Sequence, residues 1–332
     1  MSDLSPARRG TADDVFTRHL LPVVAKLERD RLTALSAIKQ RVILTVPLTI
    51  ALWAAIVFLL VSFEARSAYV IALGVAVATG ASIAAWTYCM LPSGRFADQL
   101  RETILGGVCS HLGNARYTRR PDDNAFDLSA FRDVHLVPSY TTASLEDQIS
   151  GTHRGSTFTL LEARLRKRKR TGKSSSMRTV FTGLLCRIQM PRRISANVLI
   201  VADQGGWGSW VRSVSAWMTP GERVEIKHAA FEAKYDVFST DPRIVRDVIT
   251  PEFIDNFLRL PAILKTDKVL AAFSGDVFCI SAAETPAFLD GFSVKRPVID
   301  MREELGALID EVMLVHRLID LLLAGDRYAR HD

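Results

Sequence analysis

The sequence lacks the residue patterns that identify nucleotide, metal and disulfide sites. Its four cysteines are scattered through 332 residues, without the paired spacing that a disulfide framework or a zinc site requires. Gly172, Lys173 and Ser174 imitate the end of a phosphate-binding loop, but Lys167 stands where the first glycine of that loop is needed. The sequence therefore predicts no cofactor, no metal and no catalytic residue.

Charge is absent from two long apolar stretches, residues 42–61 and 69–90. At about 1.5 Å per helical residue, the first stretch spans roughly 30 Å, which is the thickness of a bilayer core. We therefore predict a transmembrane helical hairpin, with the lipid bilayer as its partner. The alternative is a buried hairpin in a soluble protein. Because neither span contains an ionisable residue, the sequence does not favour a transporter or a channel.

Basic residues on either side of the hairpin predict its orientation. The loop between the spans contains a single basic residue, Arg66. Several flank the outer ends of the spans: Lys26, Arg29, Arg31, Lys39, Arg41, Arg95 and Arg101. By the positive-inside tendency, both termini and everything after residue 90 lie in the cytoplasm.

Small residues recur along the second span. Ala72, Ala76, Gly80 and Ala84 stand at a spacing of four and therefore share one face of the predicted helix. A stripe of small side chains lets another helix approach closely. We predict that this stripe supports a homo-oligomer.

The chain is predicted to divide into four parts. These are a cytoplasmic amphipathic helix, the transmembrane hairpin, a stalk helix with a connector, and a cytoplasmic α+β domain, at residues 1–41, 42–90, 91–126 and 127–332. Apolar residues at helical spacing predict that both helices of the hairpin continue and pack as a stalk: Phe16, Leu20, Val23, Leu27, Phe96, Leu100, Ile104 and Val108.

The last part is predicted to be antiparallel and rich in β-strands. Seven segments alternate or carry β-branched and aromatic residues between turn signals: 157–165, 180–188, 196–202, 223–227, 234–239, 269–273 and 277–281. A tight hairpin is predicted at Ser274 to Asp276, and helices at 241–264, broken before Pro251, and from an Asp300 N-cap to Gly325. Residues 112–139 are predicted to have little regular structure. The fold class is α+β, similar to a pleckstrin-homology-like roll with an inserted helix.

The net charge of +6 comes from one basic run. Seven of the 42 basic residues lie within ten positions: Arg164, Arg166, Lys167, Arg168, Lys169, Arg170 and Lys173. We predict that this run, at the end of one strand and the turn into the next, contacts anionic lipid headgroups. The alternative is a solvated loop. Nucleic acid is not favoured, because no aromatic residues that could stack on bases interrupt the run.

Three tryptophans make a second candidate for contact with a membrane. Trp207, Trp210 and Trp217 lie in a segment bounded by glycines and Pro220, on one face of a predicted short helix. Core packing over the sheet is the favoured interpretation, and an interfacial helix at headgroup level is the alternative.

Two motif segments resemble a bacterial family, domain of unknown function 3137. The first contains Glu146, Asp147, Gly151, Gly155, Phe158 and Glu162, with Gly183 in the following strand. The second contains Phe231, Glu232, Tyr235, Val237, Phe238, Asp241, Arg246, Thr250 and Pro251. The resemblance covers residues 127 to about 285. It implies a bacterial protein, and we therefore expect a multi-pass protein of the inner membrane. It implies no catalytic residue, cofactor or substrate.

Individual polar residues support only weak hypotheses of chemistry. Glu146, Asp147 and Glu162 could hold a hard cation, but capping of a turn or pairing with a nearby base is the favoured interpretation. His316 lies on the apolar stripe of the last helix and is interpreted as a core histidine.

Two classes of function follow. The first is a non-enzymatic binding or scaffold module with an unidentified protein partner. The alternative is an enzyme at the cytoplasmic leaflet that acts on a lipid headgroup or a phosphorylated ligand.

Overall fold

A computed structural model describes eight stretches of the chain: residues 21–62, 67–111, 114–122, 126–171, 174–202, 222–286, 288–289 and 293–323. They fall into two compact units. The first contains the chain up to Gly107 together with Gly291–Gly306, and the second contains Val108–Asp290 and the chain from Ala307 onward. The predicted Trp helix, Lys173 and residues 1–20 lie outside the described residues.

The first unit is built on two long helices, α1 (Leu21–Ser62) and α2 (Ala68–His111). Both continue well beyond the predicted spans, as expected for a hairpin that is extended into a stalk. Each has an apolar stretch long enough to cross a membrane, judged by length and composition. Leu27, Phe96, Leu100 and Ile104 of the predicted stalk are buried.

Small and polar residues of α2 lie against α1. Ala78 is fully buried, and a Cβ added at Gly74 would lie 3.1 Å from the Ile56 side chain. The Trp53 indole donates a hydrogen bond to Ser82 Oγ over 3.1 Å. The predicted stripe therefore does not mediate this pairing, because it lies on another, exposed face of α2, where Ala72, Ala76 and Gly80 line a shallow groove.

The second unit contains one seven-stranded antiparallel sheet. The strands are β1 (Ala115–Thr118), β2 (Thr142–His153), β3 (Ser156–Thr171), β4 (Ser174–Ala202), β5 (Glu222–Val224), β6 (Tyr235–Ser239) and β7 (Val269–Ala283). Their order is β1-β2-β3-β4-β6-β5, and β7 also pairs with β4. The α+β class is confirmed. The comparison with a pleckstrin-homology-like roll stays a prediction.

Two long strands correct the predicted turns. β4 joins two segments that were predicted as separate strands, and β7 continues through the predicted hairpin at Ser274 to Asp276. β7 pairs with both halves of β4, from Gly183 opposite Ala283 to Ile200 opposite Ala271. The pairing is irregular around Ile194, and Gly275 has a positive φ of 62°. These local distortions accommodate the residues that predicted turns, and neither strand ends there.

Regular structure also occurs where none was predicted. β1 and a short helix, α3 (Leu128–Asp133), lie inside the predicted connector, and the Asp127 side chain caps that helix. β2 occupies a segment that was interpreted as a glycine-rich turn. β1 pairs with β2, and β2 pairs with β3, and local periodicity cannot reveal such pairing.

The remaining helices are short. Between β5 and β7 lie α4 (Ala229–Glu232), α5 (Pro242–Val248), α6 (Pro251–Phe257) and α7 (Leu260–Leu264), and the predicted break before Pro251 is confirmed. The predicted single closing helix is instead a 3-10 turn (Val298–Met301) followed by α8 (Arg302–Val312) and α9 (Leu314–Leu323). Asp300 lies inside the 3-10 turn, so it is not the predicted N-cap.

Successive residues of β3 point to opposite faces of the sheet. Leu161, Ala163 and Leu165 belong to a buried cluster that includes Phe131 of α3. Phe158 and Leu160 are buried on the other face. This alternation sets the direction of the basic side chains that follow in β3.

Candidate membrane-contact surface

The basic run forms one strand of a projecting two-stranded arm. β3 continues to Thr171, and its pairing with β4 runs from Arg166 opposite Thr179 to Thr171 opposite Ser174. β2 begins at Thr142, opposite Arg166, so beyond Arg166 the arm has no third strand among the described residues. We call residues 166–171 and 174–179 the basic arm. Six residues at about 3.3 Å each give it a length of roughly 20 Å.

The basic residues lie at a different position from the one predicted. They were predicted to occupy a strand end and a turn, but five of them are paired within β3, and Arg164 lies closer to the start of β3, opposite Thr182. Every residue from 166 to 170 and from 175 to 179 is exposed. An exposed two-stranded ribbon presents side chains on both of its faces.

The charge of the arm is not compensated locally. The sequence contains no Asp or Glu from residue 163 to residue 202. Within the described part of the chain, residues 166–170 form no ion pair. Lys167 Nζ donates a hydrogen bond to Ser139 Oγ over 2.5 Å, and the Arg168 backbone N–H donates to Thr141 Oγ1 over 3.1 Å. The arm therefore presents a strongly positive surface to solvent.

The structure brings the three candidate carboxylates together with a base. Asp147 is buried at a bulge in β2, with φ at 53°, and accepts a hydrogen bond from the Tyr117 hydroxyl. Arg119 Nη1 lies 3.0 Å from Asp147 Oδ2 and 2.7 Å from Glu146 Oε2. Glu162 lies directly opposite Glu146.

This arrangement favours the structural interpretation of the carboxylates. Burial, followed by the nearby charges of Asp147 and Glu146, raises the pKa of Glu162. Arg119 forms ion pairs with the other two carboxylates, which is the predicted pairing with a nearby base. Among the residues that the structure describes, no group of three or more His, Cys, Asp or Glu side chains is placed to hold a metal ion.

His316 is buried, as predicted for a core histidine, but it stacks on a second histidine that the sequence did not indicate. The ring of His153 lies parallel to it, and Phe158 meets it edge-on with centroids 5.5 Å apart. His153 comes from the end of β2 and His316 from α9, so no sequence spacing could have connected them.

All four cysteines are free and buried. Burial raises the pKa of Cys109 and of Cys279 to about 12. Since the thiolate is the reactive form, these environments do not activate a nucleophile.

The second motif segment stabilises the fold. Phe231 packs with Tyr235 and Phe257, at centroid distances of 5.3 and 6.0 Å. Asp241 accepts from the Arg243 N–H at the start of α5, and Thr250 accepts from the Phe253 N–H at the start of α6. These side chains pack in the core or cap helices, so this part of the motif contributes to the fold.

A model of the family "Protein of unknown function (DUF3137)" matches residues 179–323. Over these residues the match supports the resemblance to the family that the motifs predicted. The match includes most of β4, the second motif segment and the C-terminal helices. The first motif segment, from Glu146 to Glu162, precedes the matched residues. The DUF3137 match thus reaches further toward the C-terminus than the resemblance predicted from the sequence.

Other comparisons are distant. No curated protein matches the chain. A solved structure, the crystal structure of the mycobacterial trehalose monomycolate transport factor A, TtfA, is similar with 8% sequence identity and a TM-score of 0.34. The similarity covers 66% of this chain and 95% of that chain. At this distance the similarity carries no argument about function.

Proposed function

We propose that this protein is a membrane-anchored, non-enzymatic binding or scaffold module whose basic arm contacts anionic lipid headgroups. The observation that carries the proposal is the arm itself. Five consecutive basic residues are exposed on a projecting ribbon, with no acidic neighbour to neutralise them within the described chain. A surface of this kind favours a polyanionic partner.

The electrostatic attraction between the basic arm and an anionic membrane is strong enough to hold a domain that is already tethered to that membrane. A basic residue near an anionic membrane contributes about 1 kcal/mol, and the attraction falls off within a Debye length of roughly 8 Å at physiological salt. The arm is already an ordered ribbon, so contact does not require folding of a loop. A tether on the same chain lowers the entropic cost further, because the contact becomes intramolecular.

The proposed setting is the inner membrane of a bacterium, with α1 and α2 crossing it and both termini in the cytoplasm. The apolar length of the two helices and the basic residues that flank them support this arrangement. Self-association through Ala72, Ala76, Gly80 and Ala84, and an unidentified protein partner, stay predictions. The alternative of an enzyme gains no support from Glu146 and Asp147, since Arg119 binds both.

A fluorescence experiment on the full chain tests lipid contact. Ser175→Cys places a single exposed thiol on the arm, and the four native cysteines are buried. The labelled protein is reconstituted into phosphatidylcholine vesicles with or without phosphatidylglycerol, and a quencher is attached to the lipid headgroup. We expect quenching that requires phosphatidylglycerol and weakens at high salt.

Two controls make the result specific. Thr157→Cys places the same label near the opposite end of β3, where we expect little dependence on anionic lipid. Replacement of residues 166–170 by serine should abolish the dependence at Ser175→Cys. Equal quenching in neutral and anionic vesicles, unchanged by these serines, would contradict the proposal.

A further inference from the structure

The two faces of the basic arm carry different chemistry. Side chains alternate along each strand, and directly paired residues share a face. One face, the arginine face, carries Arg166, Arg168 and Arg170, with their partners Thr179, Met177 and Ser175. The other, the lysine face, carries Lys167 and Lys169, with their partners Arg178 and Ser176. Each face thus holds three positive charges.

At the base of the arm, the lysine face adjoins the body of its own unit. Lys167 and Lys169 continue the side of β3 on which Leu165 is fully buried. The β3 strand keeps this alternation through the bulge, because the extra residue, Val180, is in β4. The hydrogen bond from Lys167 Nζ to Ser139 Oγ shows that this face already has a protein neighbour.

The arginine face is better suited to phosphate. Its three arginines stand two residues apart, at about 6.6 Å along the strand. A guanidinium group donates two parallel hydrogen bonds to one phosphate, whereas an ammonium group acts as a compact, strongly hydrated charge. Exposed residues of this face have no acidic partner among the residues described, so their donors are available to a ligand.

An exposed apolar side chain distinguishes the same face. Met177 lies opposite Arg168 and is 44% exposed. At a bilayer surface, an apolar side chain among basic residues can enter the boundary between headgroups and acyl chains. The lysine face has no apolar side chain at the corresponding positions, which are occupied by Ser176 and Arg178.

We propose that the arginine face is the surface that binds the phosphates of an anionic phospholipid layer, with Met177 directed to the acyl boundary, while the lysine face remains turned to the protein. This inference rests on the proposed function and adds which face and which groups make the contact.

Adjacent probes separate the two faces. Ser175 and Ser176 are both exposed and face opposite sides of the arm. Full-length Ser175→Cys and Ser176→Cys variants are labelled and reconstituted into vesicles containing phosphatidylglycerol and a headgroup quencher. We expect the label at position 175 to be quenched more strongly than the label at position 176.

Two variants with equal loss of charge provide the matched comparison. R166S/R168S/R170S removes the charges of the arginine face, and K167S/K169S/R178S removes those of the lysine face. We expect the arginine variant to lose most of the lipid-dependent quenching at Ser175→Cys, and the lysine variant to lose less than half. R166K/R168K/R170K, which keeps the charge without the bidentate geometry, should give an intermediate loss. Unchanged circular dichroism confirms folding of each variant.

The outcomes distinguish the two proposals. Equal quenching at both positions, with equal loss in both serine variants, would overturn the assignment of the arginine face while leaving lipid contact by the arm intact. No lipid-dependent quenching at either position would overturn both. Quenching by a labelled single-stranded oligonucleotide but not by phosphatidylglycerol vesicles would identify nucleic acid as the ligand and would also overturn both.

Discussion

The imidazole of His153 stacks on that of His316, with ring centroids 4.3 Å apart and an angle of 11° between the planes. His153 Nε2 lies 2.8 Å from Asp320 Oδ1, and Arg154 Nε lies 3.2 Å from the same oxygen. His316 Nε2 is buried and has no hydrogen-bond partner in the described chain. These contacts connect the turn between β2 and β3 to α9, and they place a neutral histidine in the core.

The stacked pair predicts that stability declines in acid. Burial is the main cause that lowers the pKa of His316 below 6.5; the charge of His153 acts in the same direction, and Asp320 opposes both. The unfolded chain therefore binds a proton at a pH where the folded chain does not. This contribution to stability is fully present above about pH 6.5 and is lost as the pH falls through the folded pKa.

His316→Phe should remove this part of the pH dependence, since phenylalanine fills a similar volume and does not titrate. The measurement is amide hydrogen exchange in α9 of the full chain in detergent, across a pH series and corrected for the intrinsic exchange rate. His135→Asn serves as the control and should keep the parent slope. A parent chain with no acid-dependent loss of protection would contradict this prediction.

Gly183→Ala should destabilise the centre of the sheet. A Cβ at Gly183 would overlap the Ala282 carbonyl oxygen on the neighbouring β7 strand, so the two strands would have to separate. We expect a cost of about 2 kcal/mol or more. Faster hydrogen exchange in β4 and β7 would show it. Gly94→Ala in α2 is the matched control, because a Cβ there meets nothing within 4 Å. Hydrogen exchange in Gly183→Ala at the rate of the parent chain would refute the predicted clash between β4 and β7.

Removing the charge from two facing glutamates should have opposite effects. The raised pKa of Glu162 means that its folded-state environment disfavours the carboxylate, so Glu162→Gln should raise stability near neutral pH by less than about 1 kcal/mol. The gain should shrink as the pH falls through the raised folded pKa and should disappear below about pH 4.5, where the unfolded chain also protonates this group. Glu146→Gln loses the ion pair with Arg119 and should slightly lower stability. Thermal unfolding at the two pH values measures both variants; equal shifts of the same sign would refute the argument.

The proposed topology predicts different access to two engineered thiols. Ser67→Cys lies at the exposed residue just before α2, and Thr157→Cys lies at an exposed position in β3. In intact bacterial cells that express the full chain, a membrane-impermeant maleimide should label position 67 and should reach position 157 only after permeabilisation. Labelling of position 157 alone in intact cells would invert the topology, and equal labelling of both would argue against two membrane spans.

Local patterns were sufficient for some local features of the structure. The helical continuity of α1 and α2 and the break before Pro251 depend on residues within one or two turns of a helix. The strands were harder, because a strand ends where its partner ends. Gly275 predicts a turn, but β7 pairs with β4 on both sides of this residue and therefore stays continuous.

The candidate site was also predicted only in part. The run of basic residues and its lack of acidic neighbours are visible in the sequence. The two-stranded form of the arm could not be predicted, because it exists only where β3 and β4 remain paired beyond the end of β2. The register between these strands then places Met177 beside the arginines instead of beside the lysines. No pattern within residues 164–173 contains that information.

The sequence by itself determined the two apolar helices, the concentration of positive charge and the family motif, because each is a property of neighbouring residues. Only the tertiary structure decided that β4 and β7 are single long strands, that Arg119 pairs with Glu146 and Asp147, and that His153 stacks on His316. These features join residues far apart in the chain, and their positions are set by strand register and by helix packing on the sheet.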